Sequence, residues 1–166
     1  MTIIERLFSA LNKGKIRYLV IGGVAVNLYG VERATRDIDL FVDLDEDNLF
    51  RFVEVVESLN LKPKIPVKFN DFTKKEIREK WGRDKNMMVF SMFDSKNPYF
   101  LLDVFIEEPF AFTKAYNERM EGKIGRTVVP VISIKHLIKI KEKSNRPQDI
   151  ADIFYLKEIK KEFKNG

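Results

Sequence analysis

Residues 17–43 have the sequence RYLVIGGVAVNLYGVERATRDIDLFVD, and the order of apolar and polar segments within them predicts the centre of the fold. The stretch begins with a short apolar segment, Arg17 to Ile21, which is typical of a buried β-strand. The pair Gly22-Gly23 follows and opens a short helix. At the other end, Asp37 to Val42 alternates polar and apolar residues, and this period of two predicts a second strand. We therefore expect a strand, a short helix and a strand in succession.

The sequence on either side predicts further helices and strands. Thr2 and Glu5 form a capping box at the start of an amphipathic helix that ends near Lys13. A second such pattern, from Thr73 to Glu76, predicts another short helix. The other predicted elements are helices over 45–59, near 110–118, over 133–143 and over 147–163, an extended segment over 62–69, a hairpin of strands 86–93 and 99–106, and a strand over 126–132.

This order of elements mixes crossover units with a hairpin. It predicts an α/β (α+β) fold in which helices pack on a mixed β-sheet and two helices finish the chain. With 166 residues, 45% of them hydrophobic, and 14 phenylalanines, the chain is long and apolar enough to form its own core. We expect a single domain over residues 1–166, with 133–166 as its C-terminal helical extension.

The composition excludes several kinds of site. The chain has no cysteine and one histidine, His136, so it forms no disulfide, thiolate nucleophile, Cys-ligated metal site or cluster of histidine ligands. We expect His136 itself to be a surface or structural side chain rather than a catalytic base. No signal peptide is recognisable, and no apolar run approaches the roughly 18–20 residues of a membrane span. These features predict a cytoplasmic protein without a membrane partner.

The net charge is +5 and the pI is about 9.3. A mildly basic surface is compatible with nucleotide or RNA ligands. The lysines are scattered along the sequence, however, and a surface that is simply rich in lysine and glutamate explains the charge as well.

Three carboxylates carry the strongest chemical signal. Asp37 and Asp39 project from the same face of their predicted strand, about 6.6–6.8 Å apart at Cα. Asp103 lies within the apolar run LLDVF, where a buried charge needs a partner or a metal. Side-chain oxygens in such a group can converge on metal ions about 3.5–4 Å apart, the spacing used in nucleotidyl transfer. Mg²⁺ suits these ligands, because it is held by carboxylates together with substrate phosphates.

The Gly22-Gly23 pair strengthens this interpretation. It lies between a predicted strand and a predicted helix, where backbone N–H groups favour an anion. Residues without a Cβ also let a phosphate approach the backbone closely. Only one short helix and a loop separate the pair from Asp37, so both can face one pocket.

The D-x-D pair is compatible with other interpretations. The two aspartates can be solvated strand-end residues that pair with Arg33 and Arg36. A nuclease of the PD-(D/E)xK type requires a lysine two residues after a strand carboxylate, and Phe41 and Phe105 occupy those positions. A glycosyltransferase D-x-D stays open, although it does not explain the Gly-Gly turn.

Residues 22–43 resemble the signature of the DNA polymerase beta-like nucleotidyltransferase superfamily, in which a Gly-Gly or Gly-Ser turn precedes D-x-D. The form R-x-T-x-D-I-D-L is similar to a subgroup of abortive-infection toxin-type and small prokaryotic nucleotidyltransferases. Asp103 matches the superfamily's third carboxylate. The tail IKIKEKSNRPQDIADI, residues 138–153, also resembles that subgroup. Gly23 departs from the serine that is common in the wider superfamily.

The resemblance implies a Mg²⁺-dependent transfer of a nucleoside monophosphate from an NTP, such as ATP, to a hydroxyl acceptor, with release of pyrophosphate. Asp37, Asp39 and Asp103 would be the catalytic residues and would hold two Mg²⁺ ions, for which Mn²⁺ can substitute. The implied nucleotide-binding residues are Gly22, Gly23, Arg33, Thr35, Lys141, Arg146 and Asp149.

Acceptors in such families include antibiotics, tRNA ends and protein hydroxyls, and the sequence does not choose among them. The alternative is a non-catalytic or partner-dependent nucleotide-binding member of a toxin–antitoxin or phage-defence pair. An operon-encoded protein partner would belong to that alternative.

Overall fold

The computed structural model describes residues 1–165, which form a mixed α/β structure around one seven-stranded sheet. The strands are β1 (Tyr18–Ile21), β2 (Asp37–Val42), β3 (Leu61–Pro63), β4 (Val89–Asp94), β5 (Asn97–Phe105), β6 (Met120–Ile124) and β7 (Thr127–Val131). Their order across the sheet is β3-β4-β5-β2-β1-β7-β6. The pairs β2/β5 and β1/β7 are parallel and the remaining pairs are antiparallel, so the predicted mixed sheet is confirmed.

Helices pack on both faces of this sheet. They are α1 (Ile3–Lys13), α2 (Gly22–Leu28), α3 (Glu46–Ser58), α4 (Phe69–Phe72), α5 (Lys75–Lys85), α6 (Phe112–Asn117), α7 (Ile134–Ser144) and α8 (Pro147–Asn165). Phe8 of α1 stacks on Tyr18 on one face of the sheet. On the other face, the ring of Phe112 in α6 packs edge-on against Phe41. None of the helices within residues 1–165 has both the length and the hydropathy needed to cross a bilayer.

The central strand β2 lies between β1 and β5, and its register fixes the neighbours of Asp39. Ile21, the last residue of β1, is opposite Asp39 on one side. Asp103 of β5 is opposite Asp39 on the other side. The turn that follows β1 and the apolar run around Asp103 therefore both reach the carboxylates of β2.

Side-chain caps start three of the helices, α1, α3 and α7. Thr2 and Glu5 form the predicted capping box, in which each side chain accepts a hydrogen bond from the other residue's backbone. Asp45 accepts a hydrogen bond from the backbone N–H of Asn48 at the start of α3. Ser133 caps α7 in the same way, through the backbone N–H of His136. Such caps satisfy backbone donors that the helix itself leaves free.

Three details of the predicted order are wrong. Thr73 does not start a capping box: it is the C-cap of α4, its hydroxyl donates to the carbonyl of Asn70, and Lys74 occupies the N-cap position of α5. The extended segment predicted over 62–69 is shorter, because only Leu61–Pro63 pairs as β3 and Phe69 already begins α4. Strand β6 was not predicted. Its alternation of apolar and polar residues is weak, because Gly122 interrupts it and the exposed residues Glu121 and Lys123 are charged.

Candidate functional site

Three carboxylates lie together on one face of the sheet. Asp37 and Asp39 project from alternate positions of β2, and Asp103 is directly opposite Asp39 on the parallel strand β5. Neighbouring strands are about 4.7–4.9 Å apart, so the Asp39 and Asp103 side chains leave the sheet next to each other. All three are half-buried. The D-x-D pair and Asp103 therefore lie next to each other on one face of the sheet.

Burial and the neighbouring negative charges both disfavour the charged forms of Asp39 and Asp103. Burial raises the pKa of Asp39 to about 6, with further contributions from the negative charges of Asp103 and Asp37. The positive charges of Lys141 and Arg146 oppose that rise. Burial also raises the pKa of Asp103, and the hydroxyl of Ser91, which donates to Oδ1 of Asp103 at 2.6 Å, opposes it. The group therefore carries a charge that a cation or a proton would relieve.

The donor set fits Mg²⁺. Oδ1 of Asp37 is buried and has no hydrogen-bond partner in the part of the chain that the structure describes, which leaves an oxygen free to bind a cation. Within residues 1–165, no three Asp, Glu or His side chains converge closely enough to enclose an ion by themselves. Mg²⁺ does not need such a cage, because it is bound through one or two carboxylates together with substrate phosphates.

Gly22 makes room for the Asp39 carboxylate. Its φ of +67° lies in the left-handed region, and a Cβ at this position would overlap the side chain of Asp39. The backbone between β1 and α2 can follow this path only because residue 22 has no side chain. The Gly-Gly pair is thus coupled to the D-x-D pair by direct contact.

Gly23 makes room for the loop before β2. A Cβ at Gly23 would overlap the side chain of Thr35 and lie 3.4 Å from Cζ of Arg33. A serine at this position would therefore require Thr35 to move. This contact gives a physical reason for glycine rather than serine at residue 23.

Arg33 pairs with α8 rather than with the D-x-D pair. Its Nη1 donates to Oδ2 of Asp152 in α8 at 2.6 Å, and this ion pair ties the loop before β2 to the last helix. Arg36 is exposed. Among residues 1–165, neither arginine forms an ion pair with Asp37 or Asp39, so the interpretation of these aspartates as partners of the two arginines is wrong.

Lys141 lies in a buried ion-pair cluster between α7 and α8. Its ammonium group is 2.9 Å from Asp152 and 3.3 Å from Asp149, and the side chain is only 4% exposed. Asp149 also accepts hydrogen bonds from the hydroxyl of Ser144 and from Arg146. Burial alone would raise the pKa of Asp149, but these donors and the charge of Lys141 hold it well below its usual value. Lys141, Arg146 and Asp149 are therefore brought together, as one cluster.

Known proteins resemble this chain in fold but not detectably in sequence. No protein-family model matches the sequence, and no curated protein matches it significantly. The lincosamide antibiotic adenylyltransferase LnuA, solved with lincomycin bound, has a TM-score of 0.63 at 16% identity, with 95% of this chain and 96% of that chain covered. ANT(2'')-Ia in complex with adenylyl-2''-tobramycin has a TM-score of 0.59 at 15% identity, with 98% and 95% covered. The chain has the nucleotidyltransferase fold.

A third similar structure extends the range of proteins that share this nucleotidyltransferase fold. It is an antigenic nucleotidyltransferase-like protein from Paracoccidioides brasiliensis, with a TM-score of 0.53 at 17% identity, and the alignment covers 90% of this chain and 71% of that chain. At 15–17% identity, these three structures establish the fold of this chain and nothing finer.

The sequence patterns did not identify three residues that lie near the site. Asp152 binds both Arg33 and Lys141, and its position three residues after Asp149 on a predicted helix was a usable signal. Ser91 and Lys64 approach Asp103 from β4 and from the end of β3. No local pattern marks them, because strand pairing alone brings them there.

His136 and Trp81 have structural roles. Nδ1 of His136 is 2.8 Å from the hydroxyl of Ser133, and its ring packs on Phe110 in a buried position. Trp81 stacks on Phe90 in the core. Neither side chain takes part in the carboxylate group.

Proposed function

We propose that this chain is a Mg²⁺-dependent nucleotidyltransferase that transfers a nucleoside monophosphate from an NTP to a hydroxyl acceptor and releases pyrophosphate. The observation that carries the proposal is the group of Asp37, Asp39 and Asp103 on one sheet face, in contact with Gly22. A structural role does not explain these three half-buried carboxylates, because their mutual repulsion destabilises the fold. Asp39 and Asp103 have raised pKa values, and an oxygen of Asp37 has no hydrogen-bond partner among the described residues.

In this proposal Asp37 and Asp39 hold the Mg²⁺ ions, and Asp103 completes the site. When bound, Mg²⁺ would neutralise the carboxylates and polarise the α-phosphate of the nucleotide. Ser91 donates a hydrogen bond to Oδ1 of Asp103, which leaves Oδ2 as the oxygen that can accept the proton of the acceptor. The acceptor oxygen forms a bond to the α-phosphorus, the bond to pyrophosphate breaks, and Asp103 takes the hydroxyl proton.

The triphosphate would lie along the turn at Gly22 and Gly23. Backbone N–H groups can approach phosphate oxygens there, because neither residue carries a Cβ. Thr35 lies beside Gly23 and can offer its hydroxyl to the same group. Arg33 shapes this loop through its ion pair with Asp152.

Lys141, Arg146 and Asp149 contribute to nucleotide binding mainly through position and charge. Lys141 is held by two carboxylates, so its ammonium group acts on the site across a distance, as its effect on Asp39 indicates. The side chain of Arg146 is 75% exposed and can turn toward a phosphate. Asp149 accepts hydrogen bonds from its backbone N–H and its Nε. The antibiotic acceptors of LnuA and ANT(2'')-Ia belong to those proteins; they support adenylyl transfer as the chemistry to test.

The test is transfer from α-labelled NTPs, with Mg²⁺, to a panel of hydroxyl acceptors, followed by separation of labelled products and measurement of pyrophosphate. Asp39→Asn should lower the rate by a factor of at least about 100, since it removes a ligand that acts on the transition state. Asp47→Asn, a change at an exposed aspartate of α3, is the matched control and should retain activity. Normal turnover by the Asp39 variant would contradict the proposal. Nucleotide binding without transfer would instead favour the partner-dependent alternative.

A further inference from the structure

The sheet face beside Asp103 continues across β5 and β4 to the edge strand β3. Two rows of side chains cross it. In the first, Lys62 is opposite Phe93, which is opposite Leu101. Leu101 is in turn opposite Asp37 of β2. This row runs from a lysine at the sheet edge to a proposed metal ligand.

The second row runs parallel to the first, one step along the strands. The backbone N–H of Lys64 donates to the carbonyl of Ser91 at 2.9 Å, which continues the β3–β4 ladder. Ser91 is opposite Asp103, and Asp103 is opposite Asp39. Lys64, Ser91 and Asp103 therefore form one row that leads to Asp39.

This face is open on the β4–β5 side. Residues on the opposite face of the two strands are fully buried: Phe90, Met92, Leu102 and Val104 are 0% exposed. On the face that carries Asp103, the alternate residues of β4 and β5 are only half-buried. Tyr99, on the same face of β5 and four residues before Asp103, is 76% exposed. The result is a shallow platform, half apolar, that begins at the carboxylates.

The rim of this platform is basic. Residues 61–70 contain Lys62, Lys64 and Lys68 and no acidic residue, and all three lysines are exposed. Among residues 1–165, neither Lys62 nor Lys64 has a carboxylate within ion-pair distance. Lysines on edge strands also discourage association between sheets, and Lys123 on the opposite edge strand β6 serves as the comparison for that role.

We infer that the open face of β3, β4 and β5 binds the acceptor, and that this acceptor is a single-stranded nucleic acid whose terminal ribose hydroxyl reaches Asp103. This inference rests on the proposed function. The proposed triphosphate position at Gly22 lies on the other side of β2, so the acceptor must approach from β5 and β4. In-line attack requires this opposite approach.

The distance between Lys64 and Asp103, and the charges of Lys62 and Lys64, fit the spacing of phosphates along a single strand. Lys64 and Asp103 are two strand spacings apart, about 10 Å at the backbone. A terminal ribose at Asp103 can therefore place its own phosphate near Lys64 and the preceding phosphate near Lys62. Tyr99 and Phe93 offer aromatic surface for base stacking, which is tolerant of sequence. A polycationic acceptor would be repelled by the same lysines. In the transfer step the terminal ribose oxygen forms the bond to the α-phosphorus, pyrophosphate leaves with its bonding electron pair, and the ribose hydroxyl proton passes to Asp103.

Binding is tested first, without NTP or metal. The probe is a fluorescein-labelled single-stranded RNA of 12 nucleotides, and fluorescence anisotropy gives Kd at several salt concentrations. The double variant Lys62→Ala with Lys64→Ala should bind at least about tenfold more weakly. Its slope of log Kd against log salt should fall by about 1.4, since each lost phosphate contact on a single strand removes about 0.7. Tyr99→Ala should weaken binding about five- to hundredfold.

Lys123→Ala is the matched control, because it removes an exposed lysine from the opposite edge strand. It should leave both Kd and the salt slope unchanged, and thermal melting should show that all variants fold. Equal Kd and equal slope for the double variant and the control would overturn the inference, as would the lack of any measurable binding by the wild-type chain.

Transfer is tested next, with α-labelled NTP, Mg²⁺ and the same RNA. Label should join the RNA that ends in a free hydroxyl and not the one blocked by a terminal phosphate. Transfer to a small neutral or cationic molecule, with none to RNA, would overturn this inference and leave the proposed function standing. Failure of all transfer, with lysine-dependent RNA binding retained, would instead count against the proposed function.

Discussion

Gly22 and Asp39 depend on each other at the scale of single residues. The left-handed backbone at Gly22 lets the chain leave β1, and the missing side chain leaves the space that the Asp39 carboxylate fills. Residue 22 must therefore both adopt a positive φ and leave space for the Asp39 side chain. A substitution there disturbs the carboxylate group directly.

Gly22→Ala should destabilise the chain by about 2–4 kcal/mol, because strain at a left-handed position adds to overlap with Asp39. It should also abolish nucleotide transfer. Gly30→Ala is the control: its φ is +99°, but nothing lies within 4 Å of the added Cβ, so it carries backbone strain alone. Urea denaturation checks both changes. Equal losses of stability would show that the contact with Asp39 is unimportant.

Asp39→Asn should stabilise the metal-free protein at pH 7 by roughly 1–3 kcal/mol, because each unit of a pKa shift corresponds to about 1.4 kcal/mol. The folded pKa of Asp39, about 6, lies above the unfolded value of about 3.9, so the folded wild type loses stability as pH rises from 4 to 6. The advantage of the variant should therefore shrink as pH falls toward 4. Denaturation with a chelator at pH 7.5 and pH 4.5 measures this. An advantage of equal size at both values would contradict repulsion as its cause.

At the scale of elements, α8 is fastened to the rest of the fold through its first two turns. Asp149 accepts hydrogen bonds from Lys141, Ser144 and Arg146. Asp152 forms ion pairs with Lys141 and with Arg33 of the loop before β2. These contacts also define what Lys141 can do. A lysine that is 4% exposed and held by two aspartates stabilises the helix pair, so Lys141→Ala should cost stability whatever its effect on nucleotide affinity.

Asp152→Asn should destabilise the chain by about 3–5 kcal/mol, because it leaves the buried Lys141 and the half-buried Arg33 short of a counter-charge. Glu158→Gln, on the exposed side of the same helix, is the control. Its ion pair with Lys161 lies in solvent, so its loss should change stability by about 0.5 kcal/mol or less. Chemical denaturation compares the two. A similar, small effect of both changes would mean that the ion-pair cluster does not fasten α8.

At the scale of the whole molecule, the site is assembled from both halves of the sheet. The turn after β1, the carboxylates of β2 and Asp103 of β5 meet only when β2 pairs in parallel with β5. A ligand that binds all three therefore stabilises the complete fold rather than one segment.

Mg²⁺ with a non-hydrolysable NTP analogue should raise the melting temperature by about 5–10 °C at 100 times Kd. A ligand that binds only the native state contributes about 2.7 kcal/mol at that concentration, and 1 kcal/mol corresponds to about 2–4 °C in a chain of this size. Asp39→Asn, folded but lacking a proposed metal ligand, should show a much smaller rise. Differential scanning fluorimetry makes the comparison. No rise in the wild-type protein at millimolar ligand would contradict the proposed function.

The sequence by itself determined the elements whose signals are local. The capping box at Thr2, the glycine turn, the alternation of β2 and the hairpin of β4 and β5 each depend on neighbouring residues, so spacing and residue type reveal them. Where local signals competed, as at Thr73, the expectation was wrong. The extent of the domain and the identity of the metals stay predictions.

Only the tertiary structure decided which distant residues surround the carboxylates. Asp103 lies opposite Asp39, Ser91 binds Asp103, Lys64 continues that row, and Asp152 holds Arg33. These neighbours follow from the register between strands and from the packing of α8. Backbone hydrogen bonds between strands are the same for every residue type, so no local pattern specifies which residue will face which. The register is determined by which face of each strand is buried, and that depends on the packing of the entire fold.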